Sequence, residues 1–329
     1  MRISRETLEN QQIWIYAAAL IAGGIIGIVN EPLGNGFEIL ITPFIATLMY
    51  SMFTQIPFFT LKSILHNGKF LIALLIGNFL IVPIVVWWLL LLFPQTTAVV
   101  IGVCLVLLTP CIDYVIVFTQ LGKGDEKLML TATPILLIVQ LLLLPLYLWV
   151  FLGENAAEIV QIEPFAEAFL FLIVLPLLLA VGTQLWAKKQ TLGKQLFQVT
   201  GWLPVPFMAF VLFVVVASQI SKVYGDFDMI VGVLPIYILF LIIMPLLSRL
   251  LVSIFRLDAR AGRALIFSTA TRNSLVVLPL AFALPDSIAT LVAAVIVTQT
   301  SVELIGELIY MKVVPNWIVK DKAGTKVNS

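Results

Sequence analysis

The sequence predicts an all-α integral membrane protein of ten transmembrane helices, built as two inverted five-helix repeats whose fourth and ninth helices are broken and cross. Three observations predict it: an extremely apolar composition, basic residues that fall on alternate sides of ten apolar runs, and an internal repeat at an offset near 162 residues. The 329 residues are 61% hydrophobic and 11% charged, with a mean hydropathy of +1.10, well outside the range of soluble domains. A formal net charge of +1 and the lack of any basic patch leave no basis for a nucleic-acid partner; the partner implied is the lipid bilayer. The leading "MRISRETLENQQ" carries mixed charge ahead of a full span and has no small-residue cleavage site, so no removable signal peptide is expected.

Ten runs are long enough to cross a bilayer: 13–29, 37–54, 70–93, 97–120, 127–151, 165–185, 203–220, 229–254, 261–284 and 287–312. With the N-terminus inside, seventeen of the nineteen Lys and Arg residues fall on the inner side, from Arg2 and Arg5 through Lys188, Lys189 and Lys194 to Lys326. The outer side keeps Lys222 against nine acidic residues, Glu31, Glu38, Glu154, Glu158, Glu163, Glu167, Asp226, Asp228 and Asp286. By the positive-inside rule both termini are cytoplasmic. An odd number of spans would scramble the alternation.

The halves resemble each other. "PFIATLMYSMFTQI" at 43–56 matches "PFMAFVLFVVVASQI" at 206–220, and "FLIVPIVVWWLL" at 79–90 matches "FLIIMPLLSRLL" at 240–251. Pro43 pairs with Pro206 at an offset of 163, and Pro83 with Pro245 at 162. This divides the chain into a first repeat, 1–155, a second, 156–315, and a tail, 316–329. Five spans per half force the second copy to enter the membrane in the opposite sense, the inverted repeat of secondary transporters. The same offset sets "LTPCIDYV" (108–115) opposite "STATRNSLVV" (268–277), with Pro110 on Arg272 and Cys111 on Asn273. An isolated Pro110 reads as a helix kink; the matched polar stretch makes both sites helix breaks lining a cavity.

Four charges lie at membrane depth, Asp113, Arg272, Glu303 and Glu307, and at about 2.5–3.5 kcal/mol each they need partners or water. Asp113 and Arg272 are expected to face each other across the break and neutralise one another, either as a static pair or as part of ion coupling. Glu303 and Glu307 share a helix face; Glu303 is the candidate proton carrier, and Glu307, near the inner end, is expected to snorkel to the interface. Cys111, beside Pro110, is a candidate substrate ligand. Cys104, about 10 Å away along a helix, is core filler, and neither thiol reads as part of a disulfide framework. Asn273 and Ser274 can bond substrate oxygens. Gln55, Gln140, Thr298, Gln299 and Thr300 read as interhelical glue, Trp87 and Trp88 as interface or packing residues, and the turns holding His66 and Lys123 as loops. The sole histidine, His66, lies outside the spans, so no metal centre, cofactor or membrane enzyme is expected.

"TPCIDYVIVFTQLGKGD" with a proline-containing fifth span, "ATRNSLVVLPLAFAL" and "VTQTSVELIGELIY" together resemble the bile acid/sodium symporter superfamily and, within it, the arsenical-resistance (arsenite efflux) permeases. The resemblance covers the whole chain. It implies a panel domain (spans 1, 2, 6 and 7) moving against a core (3 to 5 and 8 to 10), functional roles for Cys111 and Glu303, and a place in the cell membrane. It also implies export of arsenite, antimonite or a related metalloid by a proton antiporter; the alternative is an ion-coupled symporter of an organic anion. Sodium-coupled members carry a Glu and a Gln where this chain has Ser268 and Arg272, and a guanidinium supplies donors only and repels a cation, so sodium coupling is not expected. Asp113 is a second departure: the arsenite permeases carry a small or neutral residue there.

Overall fold

The structure is a computed structural model that describes residues 5–60, 67–153, 162–221 and 227–321; His66, the repeat boundary at 155/156 and most of the expected tail lie outside them. The described residues form helices and no strand. In order they are α1 (Arg5–Val29), α2 (Glu31–Gly36), α3 (Ile41–Gln55), α4 (Gly68–Ile76), α5 (Val82–Leu92), α6 (Thr97–Leu107), α7 (Val115–Leu121), α8 (Glu126–Leu152), α9 (Ile162–Phe169), α10 (Leu175–Lys189), α11 (Thr191–Thr200), α12 (Pro204–Gln219), α13 (Phe227–Ile254), α14 (Ala259–Ala270), α15 (Ser274–Phe282) and α16 (Asp286–Val313). Seven continuous runs are long and apolar enough to cross a membrane, and α11–α12, bent by 44°, makes an eighth candidate. The expected count of ten is not met by continuous helices: the fourth and ninth expected spans are the interrupted pairs α6–α7 and α14–α15.

Proline shapes several of these helices. A proline lacks the N–H that would close the turn and its ring presses on the carbonyl four residues earlier. Before Pro83 the chain widens into a π-turn, Gly77–Ile81, which makes room for the ring. The carbonyl left over, Phe79 O, is taken by the Tyr147 hydroxyl at 2.6 Å. In the second half Pro245 sits inside α13, and the carbonyl four residues before it, Leu241 O, accepts the Tyr310 hydroxyl. Tyr147 and Tyr310 are 163 residues apart, as Pro83 and Pro245 are 162 apart. In both places a tyrosine of a later helix, Tyr147 of α8 or Tyr310 of α16, takes the carbonyl that a proline frees.

The packing falls into two groups. In one, α1 lies along α12, and α3 packs on α10 and α12. A Cβ on Gly23 would stand 2.6 Å from Phe213 O, and one on Gly27 2.5 Å from Ala217 O, so glycine spacing is what lets the α1 and α12 backbones touch. In the other group α6 packs on α16 and α8, and α13 on α14 and α16. The most deeply buried polar side chains of the second group, including Arg272, Asn273, Glu303 and Glu307, sit where α6–α7 and α14–α15 meet. The groups touch through α15 on α3 and α9, and α12 on α16. Trp87 and Trp88 are 49% and 62% exposed and stack edge to face, a lipid-facing pair.

Candidate functional site

Both breaks are built into local sequence. α6 ends at Leu107, three residues before Pro110, whose ring steers Thr109 away from helical geometry. α14 ends at Ala270, and α15 restarts behind Asn273, whose Oδ1 caps it by accepting from Val276 N at 3.2 Å, as Asn does at an N-cap. The backbone groups freed at each break satisfy those at the other. Cys111 N donates to Thr271 O at 3.2 Å and Asn273 N to Thr109 O at 2.8 Å, a short antiparallel bridge centred on Pro110 and Arg272. The pairing that the offset of 162 indicates in sequence is a contact in space. Thr109 and Thr271 also match: each hydroxyl donates to the carbonyl four residues earlier, Leu105 O and Phe267 O.

The side chains around this bridge form one network. Glu303 Oε1 accepts from the Tyr114 hydroxyl at 2.7 Å, and Oε2 from Arg272 N at 2.7 Å and from Gln299 Nε2 at 2.5 Å. Tyr114 has a second acceptor, Arg272 O, at 2.8 Å, so its one hydrogen is shared between the break and the carboxyl. Glu307 Oε1 lies 2.6 Å from the Thr271 hydroxyl, and its Oε2 makes no hydrogen bond.

The guanidinium of Arg272 is fully buried and enters a cage of uncharged oxygens: Nη2 donates to Asn78 Oδ1 at 2.8 Å and Ser268 O at 2.7 Å, and Nη1 to Leu107 O at 3.3 Å. Asn78 is held by its own Nδ2, which donates to Ser268 Oγ at 3.1 Å and Leu74 O at 3.1 Å. Carbonyl and amide oxygens are ligands that suit a hard cation, and here a fixed side chain takes them.

Several expectations are corrected. Asp113 and Arg272 do not pair. The bridge aligns Arg272 with Pro110, not Asp113, and directs the guanidinium toward Asn78 and Ser268; Asp113 Oδ1 instead accepts the Cys111 thiol at 2.9 Å. Glu307 does not snorkel: its side chain is fully buried, bonded to the second break. Cys111 is buried beneath Asp113, while Asn273 and Ser274 are buried with Asn273 Nδ2 and Ser274 Oγ unpartnered. Among the glue candidates, Gln299 holds Glu303, Thr298 and Thr300 donate to their own helix, both amide atoms of buried Gln140 make no hydrogen bond, and Gln55 lines an opening. Cys104 is buried and free. The Lys123 carbonyl accepts from Arg263 at 3.0 Å, so its turn braces α14.

A cleft of about 290 Å³ runs between the two packing groups from the Arg5 end to the first break. Its walls include Gln12 and Tyr16 of α1, Met52 and Gln55 of α3, and Met208 of α12; across from them stand Asp113, Tyr114 and Val117. Asp113 is partly exposed to it. At the opposite end Thr290 of α16 donates to Gln219 Oε1 of α12 at 3.0 Å, and Gln219 Nε2 reaches Glu38 Oε1 at 3.4 Å; Gln219 also lines a second cavity, of about 720 Å³, between α1 and α12 on one side and α13 and α16 on the other. Sequence reasoning missed Asn78, Tyr114, Gln12 and Tyr16. Asn78 carried a signal, as the only polar side chain in an apolar run of two dozen residues. Tyr114 carried none beyond its place after Asp113.

Membrane-length helices in two packing groups, with a cleft between them ending on paired helix breaks, define a multi-pass membrane protein of transporter architecture. Residues 42–226, more than half of the chain, match the model of the sodium bile acid symporter family, and the chain belongs to that family, whose members are transporters. No curated protein matches the chain.

Proposed function

We propose that the protein is a proton-coupled secondary transporter working by alternating access, built from two inverted five-span repeats with α6–α7 and α14–α15 as the broken fourth and ninth spans. Three pairs of features at one offset support the repeat: the bridge at Pro110 and Arg272, the threonines that bond back, and the tyrosines that answer the prolines. With both termini cytoplasmic, the cleft faces the cytoplasm and the Gln219–Thr290 contact closes the outside.

One observation carries the coupling: Tyr114 lines the cleft and also hydrogen-bonds Glu303. When Glu303 is ionised the tyrosine donates to it. When Glu303 carries a proton it donates to the tyrosine oxygen, and the tyrosine hydrogen goes to Arg272 O, tightening the link between the breaks. Proton occupancy thus changes a bond spanning both breaks, the differential interaction a coupled carrier needs. Sodium has no role at the cage, because Arg272 already supplies its cation.

The substrate reading is export of arsenite or a related metalloid hydroxide from the cell, across its plasma membrane. Cys111 adjoins Ile112 and Asp113 of the cleft wall, Asn273 is bridged to the same break and Ser274 follows it, and a thiol suits a soft arsenic centre. The second reading, an organic anion, is favoured by the family match. Proteoliposome flux with arsenite, antimonite and a bile-salt anion, under imposed proton and then sodium gradients, decides between them. Arsenite flux driven by protons and indifferent to sodium is the expected result; sodium-driven anion uptake overturns both substrate and coupling.

A further inference from the structure

We propose that the inner end of the cleft is a substrate site formed by Asp113, Gln12 and Tyr16, and that the Asp113 carboxylate selects uncharged, hydroxyl-bearing solutes and rejects organic anions. This rests on the cleft being the transport path, and it gives that path a charge rule that the family match does not.

Three charged residues line the cleft, Arg5, Glu9 and Asp113. Arg5 Nε and Glu9 Oε1 lie 2.6 Å apart at the mouth and cancel. Asp113 has no cation partner among the described residues. Its Oδ1 accepts the Cys111 thiol at 2.9 Å. The nearest buried cation, Arg272, is committed to Asn78, Ser268 and Leu107. When Asp113 is ionised the cleft therefore carries one net negative charge, at its inner end and away from the Arg5–Glu9 pair, where low-dielectric walls extend its reach.

Facing it, Gln12 is 3% exposed and its Nε2 makes no hydrogen bond, while its Oε1 is 3.4 Å from the Tyr16 hydroxyl. An unused amide donor and a carboxylate acceptor across a small cavity suit a solute with both an oxygen acceptor and O–H donors. Arsenous acid, uncharged at neutral pH with three hydroxyls, has that chemistry. The anionic group of a carboxylate or sulfonate solute offers acceptors only and meets an ionised Asp113 with like charge. The Cys111 thiol, which donates to Asp113 at 2.9 Å, orients the carboxylate and stands behind it as the soft ligand of the proposed function.

The test does not depend on knowing the substrate. Val117 lines the cleft and both native cysteines are buried, so Val117→Cys gives one accessible thiol. In membranes its reaction rate is compared for an uncharged and an anionic methanethiosulfonate, with Asp113 and with Asp113→Asn. The expected result is an anionic reagent about tenfold slower than the uncharged one, with Asp113→Asn removing most of that gap, as one charge several ångströms away requires. Equal rates in the Asp113 protein, a gap that survives Asp113→Asn, or no labelling by the uncharged reagent would each overturn the proposal. Flux separates its failure from that of the transport reading: a protein that shows the charge gap yet moves no arsenite keeps the filter and loses arsenite as cargo.

Discussion

The two helix breaks share a backbone and differ in their side chains. Thr109–Pro110–Cys111 and Thr271–Arg272–Asn273 exchange reciprocal N–H to carbonyl bonds, and their threonines bond back identically. The first break carries Pro110 and Cys111, both buried, and Asp113, which faces the cleft; the second presents Arg272 and takes the two carboxyls of α16. Symmetry in the backbone provides two equivalent ways for the groups to pack, which alternating access needs. Asymmetry in the side chains puts a thiol and a carboxylate on one break and a guanidinium with two carboxyl partners on the other, the division that the proposed function assigns to solute and to proton.

The largest effects should follow from breaking that division on the second side. Arg272→Ala strips donors from Asn78 Oδ1, Ser268 O and Leu107 O, and each buried acceptor left bare costs about 1–3 kcal/mol. Pro110→Ala removes no donor and leaves the Cys111–Thr271 bond in place, so it should shift stability by no more than about 1 kcal/mol. Thermal unfolding in detergent measures both, and a larger loss for Pro110→Ala would reverse the assignment. Glu303→Gln should cut proton-driven flux by about a hundredfold or more while preserving solute exchange without a gradient, since the amide keeps most of the hydrogen bonds but cannot cycle a proton.

The proline–tyrosine pairs sharpen the symmetric side of the comparison. Tyr147→Phe and Tyr310→Phe each leave one carbonyl unanswered, at a cost of about 1–2 kcal/mol, and the two should add because the sites are remote. Restoring the missing N–H is the control. In a Pro245→Ala background the Leu241 carbonyl regains a helical partner, so Tyr310→Phe should cost less there than in the parent. An undiminished cost in that cycle would mean the tyrosine acts through its ring and not its hydroxyl.

Much of this was legible in sequence because it is written in backbone chemistry. Prolines matched at offsets of 162 and 163 pointed to both breaks and even to the residue pair that touches. Hydropathy located the long helices, with α8 and α16 matching the runs 127–151 and 287–312 to within a residue. Side-chain direction was not legible. Pairing Asp113 with Arg272 rested on opposite charge alone, whereas the decisive term was the oxygen cage around Asn78, assembled from three helices far apart in sequence. Glu307 was misplaced for a similar reason: its depth was judged from its position along α16, and the buried Thr271 hydroxyl that holds it lies 36 residues away.

The smallest expected effect probes the two ends of the cleft. Gln55 and Gln219 end equivalent helices, α3 and α12, in "FTQI" and "ASQI". Gln219 accepts from Thr290 across the two packing groups, whereas Gln55, lining the cleft, bonds its neighbour Thr54 at 2.9 Å and no residue of the other group among the described residues. Under the repeat, Gln55 acquires its partner near residues 126–128 at the start of α8 when the cleft closes there and opens at the other end. One neutral hydrogen bond is worth about 0.5–1.5 kcal/mol, so Gln219→Leu should move the population away from the present arrangement and slow labelling of Val117→Cys by a few-fold. Gln55→Leu should leave that labelling unchanged or raise it, because it weakens only the opposite arrangement. Equal slowing by both substitutions would show that the glutamines support their own helices, and the pair would lose its role as alternating latches.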